Sequence, residues 1–261
     1  MVAIVFVIPL ISKRKCSNWE LRTKLLQGTI NSLDNQKSPN FRVIIGCHEI
    51  PNISIQNYPD NFQFIQLHSD PLKNPEKNQR DKLLKICNAL LTVKDLDFDY
   101  CMALDADDRV SYQLVSFLEK QPKTDAWIID QGYQVNYQNR RVFLCNHLSQ
   151  ICGSTTILSK EVAGIPQADS VSEFVKCFWQ HEGHHTAKAY FNTKHIQYQT
   201  IPFPSLQYIL HHSLNLEESK LSVASTIQNF KYMTKKIIKY QILGRPMKKQ
   251  EHQAFGYTLE A

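Results

Sequence analysis

Seven consecutive apolar residues, Val2 to Ile8, stopped by Pro9, fix the first element of this chain. An unbroken run rich in β-branched residues suits a strand covered on both faces, not one with a wet side. Phe41 to Gly46 (FRVIIG) reads as a second buried strand, Phe62 to Leu67 (FQFIQL) as an alternating third, and Tyr100 to Leu104 (YCMAL) as a fourth. Two amphipathic stretches lie between them. One is capped by Asn18 and carries Leu21, Leu25, Leu26, Ile30 and Leu33 at roughly helical spacing. The other runs from about Asn78 to Val93 with Leu83, Leu84, Ile86, Cys87, Leu90 and Leu91 inward. Strands and helices alternating in this way predict a three-layer α/β fold with a mainly parallel central sheet.

Beyond residue 110 the pattern loosens. Tyr112 to Glu119 suggests a helix, Trp127 to Ile129 a short strand, and Gln131 to Val142 a polar hairpin. Asn215-Leu-Glu-Glu218 resembles a helix N-terminus, leading a helix through about Leu243. The organisation predicted is one domain over 1–215 and a C-terminal helical extension over 216–261 packed on it. In that extension Ile227, Phe230, Ile237, Ile238 and Ile242 line one side, while Lys231, Lys235, Lys236 and Lys239 make the rest basic. Such a helix suits either a solvated basic face or peripheral contact with an anionic membrane.

With 43% hydrophobic and 21% charged residues, the 261-residue chain has material for a real core, which excludes a disordered protein. The net charge of +6 suits phosphorylated ligands or an anionic surface. No zinc-finger spacing or aromatic-plus-basic RNA motif is present, so nucleic acid is not an expected partner. The seven cysteines include no CxxC pair, and Cys47, Cys87, Cys101 and Cys177 sit inside apolar runs as small core residues. That usage fits a reducing, cytoplasmic setting. The first ten residues lack a basic n-region and are too short to span a bilayer, so they read as a strand and not a leader.

The fourth strand runs straight into Asp105-Ala-Asp-Asp108, three carboxylates in four positions. Charges this close repel by about 1 kcal/mol per pair in water and by several at lower dielectric. Either the segment is a solvated turn, or something positive shares it. A divalent cation, Mg²⁺ or Mn²⁺, matches carboxylates supplemented by phosphate oxygens. In parallel α/β sheets ligands sit at the carboxyl ends of strands, where this cluster falls.

The order of these signals from Val2 to about Asn215 resembles bacterial family 2-type glycosyltransferases of the GT-A fold. The residues that carry the resemblance are Thr29-Ile-Asn-Ser-Leu-Asp-Asn-Gln36, Arg80-Asp-Lys-Leu-Leu-Lys85, Tyr100 to Ser111 with its DxD, Cys152-Gly-Ser154, and Ile201 to His212. The resemblance implies a metal-dependent transferase moving a sugar from a nucleotide-sugar donor to a saccharide or lipid-linked acceptor, in polysaccharide or glycolipid synthesis. It implies metal ligation by Asp107, with Asp105 and Asp108 as further candidates and His211 or His212 completing the site. It places nucleotide contacts at Pro9, Leu10, Ser12 and Arg14 after the first strand, at Asp81, Lys82 and Lys85, and at Asp105. Where relatives carry an Asp pair after the second strand this chain has His48-Glu49, with Glu49 as the substitute. An inverting mechanism would further require a carboxylate base, for which Glu182 is the candidate.

Other classes share some of these features. His181, Glu182 and His185 match H-E-x-x-H, the zinc-protease pattern, although Gly183 is unfavourable within a helix. The preceding Val171, Phe174, Val175 and Phe178 do have helical spacing. A nucleotidyltransferase would use a related sheet, yet Ile11-Ser-Lys-Arg-Lys15 has no glycine for its phosphate loop. A non-catalytic carbohydrate-binding protein is the remaining alternative.

Overall fold

A computed structural model describes residues 2–68, 75–183, 185–210 and 244–257, with residues 75–79 described by backbone alone. Twelve strands form two sheets among these residues. The larger holds β1 (Val2–Pro9), β2 (Phe41–Cys47), β3 (Phe62–Gln66), β4 (Phe98–Ala103), β6 (Ala126–Ile128), β9 (Thr156–Ser159) and β10 (Tyr198–Thr200), in the order β10-β6-β9-β4-β1-β2-β3. Strands β3, β2, β1 and β4 run parallel, as do β6 and β10, while β9 is antiparallel to both its neighbours. The smaller sheet holds β5 (Arg109–Val110), β7 (Gly132–Asn136), β8 (Arg141–Cys145), β11 (Leu206–Leu210) and β12 (Arg245–Pro246), in the order β12-β8-β7-β11-β5. The fold is therefore three-layered α/β with a mainly parallel central sheet.

Burial explains the layers. Along β1, Ile4, Phe6 and Ile8 point into one core with α1 (Trp19–Asp34) and α3 (Leu114–Leu118), which contribute Leu26, Ile30, Leu33, Leu114 and Val115. Val5 and Val7 point into a second core with α2 (Pro75–Thr92) and α7 (Ala187–Lys194), through Ile86, Leu90, Ala187 and Phe191. Since β1 is buried on both faces, its unbroken apolar sequence follows from its place at the sheet's centre. Asn18 caps α1 by accepting a bond from the Leu21 N–H at 2.9 Å. The cysteines expected in the core, Cys47, Cys87, Cys101 and Cys177, are all buried, and Cys152 joins them.

The region around residue 175 differs from its apolar spacing. In place of one helix there are separate turns, α4 (Lys160–Ala163), α5 (Val171–Phe174) and α6 (Phe178–His181). Val171 and Val175 stand exposed, whereas Phe174 and Phe178 are buried. The C-terminal piece, β12 and α8 (Lys249–Ala254), folds back on the domain: the Tyr112 N–H donates to the Ala254 carbonyl and the Asn35 amide to that of Gln253. The helix expected from Asn215 to Leu243 lies outside the described residues. Among those residues no helix is long and apolar enough to cross a membrane.

Candidate functional site

Strand direction decides which residues meet. β1, β2, β4 and β6 all point the same way, because β9 is antiparallel to both β4 and β6. Their carboxyl ends thus share one edge of the sheet. Onto that edge the chain brings Leu10 to Lys15 after β1, His48 and Glu49 after β2, Asp105 to Asp108 after β4, and Asp130 after β6. The segment Cys152-Gly153-Ser154 enters β9 from the same edge.

The three carboxylates of the acidic loop have different fates. Asp105 meets the Lys82 ammonium of α2 at 2.5 Å, and its N–H donates to Ser154 Oγ at 2.9 Å. Asp107 meets Arg22 Nη1 of α1 at 3.1 Å. Asp108 turns inward and is fully buried. It accepts from Ser154 Oγ at 2.6 Å and Cys152 Sγ at 3.2 Å through Oδ2, and from the Ile209 N–H at 3.4 Å through Oδ1. Burial, then the charges of Asp107 and Asp105, push the Asp108 carboxyl well above its ordinary range, against the Ser154 and Cys152 donors. Protein atoms crowded round the ammonium pull Lys82 down even though its side chain is 42% exposed, but the Asp105 carboxylate, helped by Asp107 and Asp108, outweighs this and holds Lys82 above the usual lysine value.

These facts revise the metal set. Asp108 has both oxygens committed inside the protein and serves as an internal post that fixes Cys152-Gly153-Ser154 and β11, so it does not fit as a ligand. Asp105 and Asp107 do fit. They are hard oxygen donors on one loop, Asp105 meeting Lys82 and Asp107 meeting Arg22. Gly153 lies close beside Asp105, where a Cβ would crowd Oδ2 at 3.2 Å. Among the described residues no three His, Cys, Asp or Glu side chains are gathered for a metal. A divalent ion here would rest on these two carboxylates and on oxygens brought by the ligand. His211 and His212, expected after β11, lie outside the described residues.

The remaining nucleotide candidates also separate. Ser12 is buried, and its hydroxyl donates to Glu49 Oε1 at 3.0 Å, while the Lys13 N–H donates to Glu49 Oε2 at 2.8 Å. Glu49 therefore ties the end of β2 to the turn Lys13–Lys15 that carries Arg14. Pro9 ends β1, but the Leu10 side chain is fully buried in the core and its N–H donates to the Gly46 carbonyl at 2.9 Å. Leu10 is thus a packing residue and offers the site no side chain. Asp81 and Lys85, expected as nucleotide contacts, turn inward instead. They form a buried cluster with His48: Lys85 Nζ lies 2.8 Å from Asp81 Oδ2, and His48 Nε2 lies 3.1 Å from Asp81 Oδ1. Burial raises the Asp81 carboxyl, but its bonds from Lys85 and His48 outweigh this and hold it below its ordinary value. Of the three α2 candidates, only Lys82 faces the acidic loop.

Two charged groups at this sheet edge were missed by sequence reading. Arg22 looked like any polar position on α1, and only the turn of the helix brings it to Asp107. Asp130 sits at the sheet edge, bonded to the Ser149 hydroxyl and the Lys188 ammonium of α7; an isolated Asp after a short strand carries no sequence signal. Glu182 follows α6 in extended backbone, φ −119° and ψ 134°, so His181, Glu182 and His185 do not share a helix. The zinc-protease alternative fails on that break, because its two histidines need one helical face.

No family model matches the chain, and no curated protein matches its sequence. Similar solved structures include TarS 1–349 of S. aureus, at 14% identity and TM-score 0.46, covering 92% of this chain and 67% of that one. GlyE, a glycosyltransferase of Streptococcus pneumoniae, shares 10% identity at TM-score 0.41, with 92% and 65% covered. A 4-diphosphocytidyl-2C-methyl-D-erythritol synthase from Anaerococcus prevotii shares 10% identity at TM-score 0.40, with 89% and 96% covered. The chain spans about two thirds of the length of the first two.

Proposed function

We propose that this chain is a glycosyltransferase of the GT-A type, transferring a sugar from a nucleotide-sugar donor to a saccharide or lipid-linked acceptor. The observation that carries the reading is the position of Asp105 and Asp107. They stand at the carboxyl end of β4, beside the ends of β1 and β2, flanked by Lys82 from one helical layer and Arg22 from the other. A parallel sheet opens its ligand crevice at this edge. Carboxylates beside basic groups there suit a diphosphate with a divalent cation.

Mn²⁺ or Mg²⁺, when bound, would supply positive charge to the diphosphate leaving group. The chain's own residues do the rest. Glu49 and Ser12 hold the turn after β1 against the end of β2, shaping the wall where a nucleoside would lie. Ser154 takes the Asp105 N–H and donates to Asp108, so the acidic loop is fixed from beneath. Lys82 and Arg22 bring positive charge to the place where the leaving group gains negative charge.

An inverting reaction needs a base on the acceptor side. Glu182 is one candidate; Asp130, at the same sheet edge as Asp105, is the other, and acting as a base requires it to give up its bond to Ser149 or Lys188. If Asp130 is the base, Asp130→Asn lowers kcat by about 10²-fold or more with nucleotide affinity retained, and Glu182→Gln changes kcat little. The reverse ranking would return the role to Glu182. The basic segment around Lys231 to Lys239 gives a lipid-linked acceptor a route to the enzyme, and co-sedimentation with anionic vesicles checks it.

The activity itself is tested by incubating the protein with a panel of UDP-, GDP- and dTDP-sugars and Mn²⁺. Release of one nucleoside diphosphate by the wild type and not by Asp107→Ala supports the assignment; no release from any donor with or without added oligosaccharide or glycolipid speaks against it.

A further inference from the structure

The two cations on the acidic loop are held in different ways. The Lys82–Asp105 pair is open, with side chains 42% and 32% exposed, whereas Arg22 and Asp107 are 12% and 13% exposed. An open ion pair gains little over its hydrated parts and separates readily. A nearly buried pair leaves an uncompensated charge when broken, so it stays closed. Gly153 backs closely onto the open pair: a Cβ there would crowd Asp105 Oδ2 at 3.2 Å and touch Lys82 Nζ at 3.8 Å. With Asp108 turned inward, Asp105 faces Lys82 and Asp107 faces Arg22 among the described residues. A divalent cation arriving there meets a site that is already neutralised.

Resting on the reading of this site as one for a diphosphate and a divalent cation, we propose that Lys82 is the exchangeable counter-ion of Asp105. It holds the carboxylate until a divalent cation takes its place, and the released ammonium turns onto the diphosphate. Arg22 remains on Asp107 and keeps that carboxylate aimed. The consequence is thermodynamic. Lys82 opposes a metal that arrives alone, since its ammonium must leave Asp105 for water. It favours a metal that arrives with a diphosphate, which supplies the ammonium with a new anionic partner. Metal and nucleotide then strengthen each other's binding by equal factors, as linkage requires.

Titration calorimetry tests this on the full chain, with Mn²⁺ alone and then with UDP or GDP in the presence and absence of Mn²⁺. Lys82→Met is expected to bind Mn²⁺ alone on the order of tenfold more tightly than the wild type, because a competing charge has gone. The improvement that Mn²⁺ brings to nucleotide affinity is expected to shrink in the same variant. Lys82→Arg, which keeps the charge, is expected to bind Mn²⁺ alone as weakly as the wild type. A Lys82→Met protein that binds Mn²⁺ no better than the wild type, or keeps the whole improvement, overturns the exchange while leaving the glycosyltransferase reading standing. A wild type that binds neither Mn²⁺ nor any nucleoside diphosphate overturns that underlying reading, and the exchange with it.

Discussion

Asp81 shows how much one side chain can carry away from the reacting atoms. Among the described residues it is the only carboxylate bonded to Lys85, whose side chain is 1% exposed, and it also meets His48. Replacing it with Asn leaves a lysine ammonium deep in the protein with no compensating charge, at a cost of about 3–5 kcal/mol. Urea unfolding of Asp81→Asn measures this directly, and a loss below about 1 kcal/mol would mean that Lys85 reaches water. The pH dependence follows from the lowered Asp81 value. Its contribution is present above the ordinary aspartate range and is lost as pH falls through the depressed folded-state value. Residues of this kind are poorly legible in a sequence. Asp81, Lys82 and Lys85 share one helical stretch, and only its rotation against the sheet sends Lys82 to the acidic loop and the other two inward.

At the scale of elements, the C-terminal piece closes the structure around the loop that follows the DxD. The Arg109 guanidinium stacks 3.7 Å from the Tyr257 ring centre, and its Nη1 donates to the Phe255 carbonyl. Gly28 of α1 lies against the same guanidinium, and a Cβ there would stand 2.4 Å from Arg109 Nη2 and push it aside. Glu251 holds β12 to α8, accepting from both terminal nitrogens of Arg245 and from the Lys248 N–H. Burial pushes the Glu251 carboxyl up, but the Arg245 and Lys248 bonds outweigh it and keep it below the ordinary glutamate value. Its stabilisation is therefore present above the usual glutamate range and fades as pH falls through the lowered value. Glu251→Gln should cost about 1–2 kcal/mol at neutral pH and nearly nothing in strong acid. Thermal melts of both proteins between pH 3 and pH 7, on the order of the glutamate range and above, check the sign; a difference that grows on acidification would contradict it.

For the molecule as a whole, the parallel half of the sheet was legible because a doubly buried strand must be apolar throughout, as Val2 to Ile8 and Phe41 to Gly46 are. The acidic loop was legible because Asp105 directly follows such a strand. The second sheet was only partly so, since β5 and β12 are two residues long and carry no periodicity. The helical spacing of Val171, Phe174, Val175 and Phe178 does not become one helix: the chain forms separate turns, with both phenylalanines buried and both valines exposed. Arg22 and Asp130 reached the site by tertiary path alone. The glycosyltransferase account joins these scales in one claim, that the sheet edge bearing Asp105 and Asp107 is a metal-assisted nucleotide site. The most direct measurement is calorimetric titration of UDP, GDP and dTDP, with and without Mn²⁺ or Mg²⁺, into the wild type and Asp107→Ala. The account predicts that one nucleotide binds, more tightly with the metal, and that the metal's contribution disappears in Asp107→Ala. Failure of all three nucleotides to bind under any condition, or binding that Asp107→Ala leaves unchanged, would contradict it.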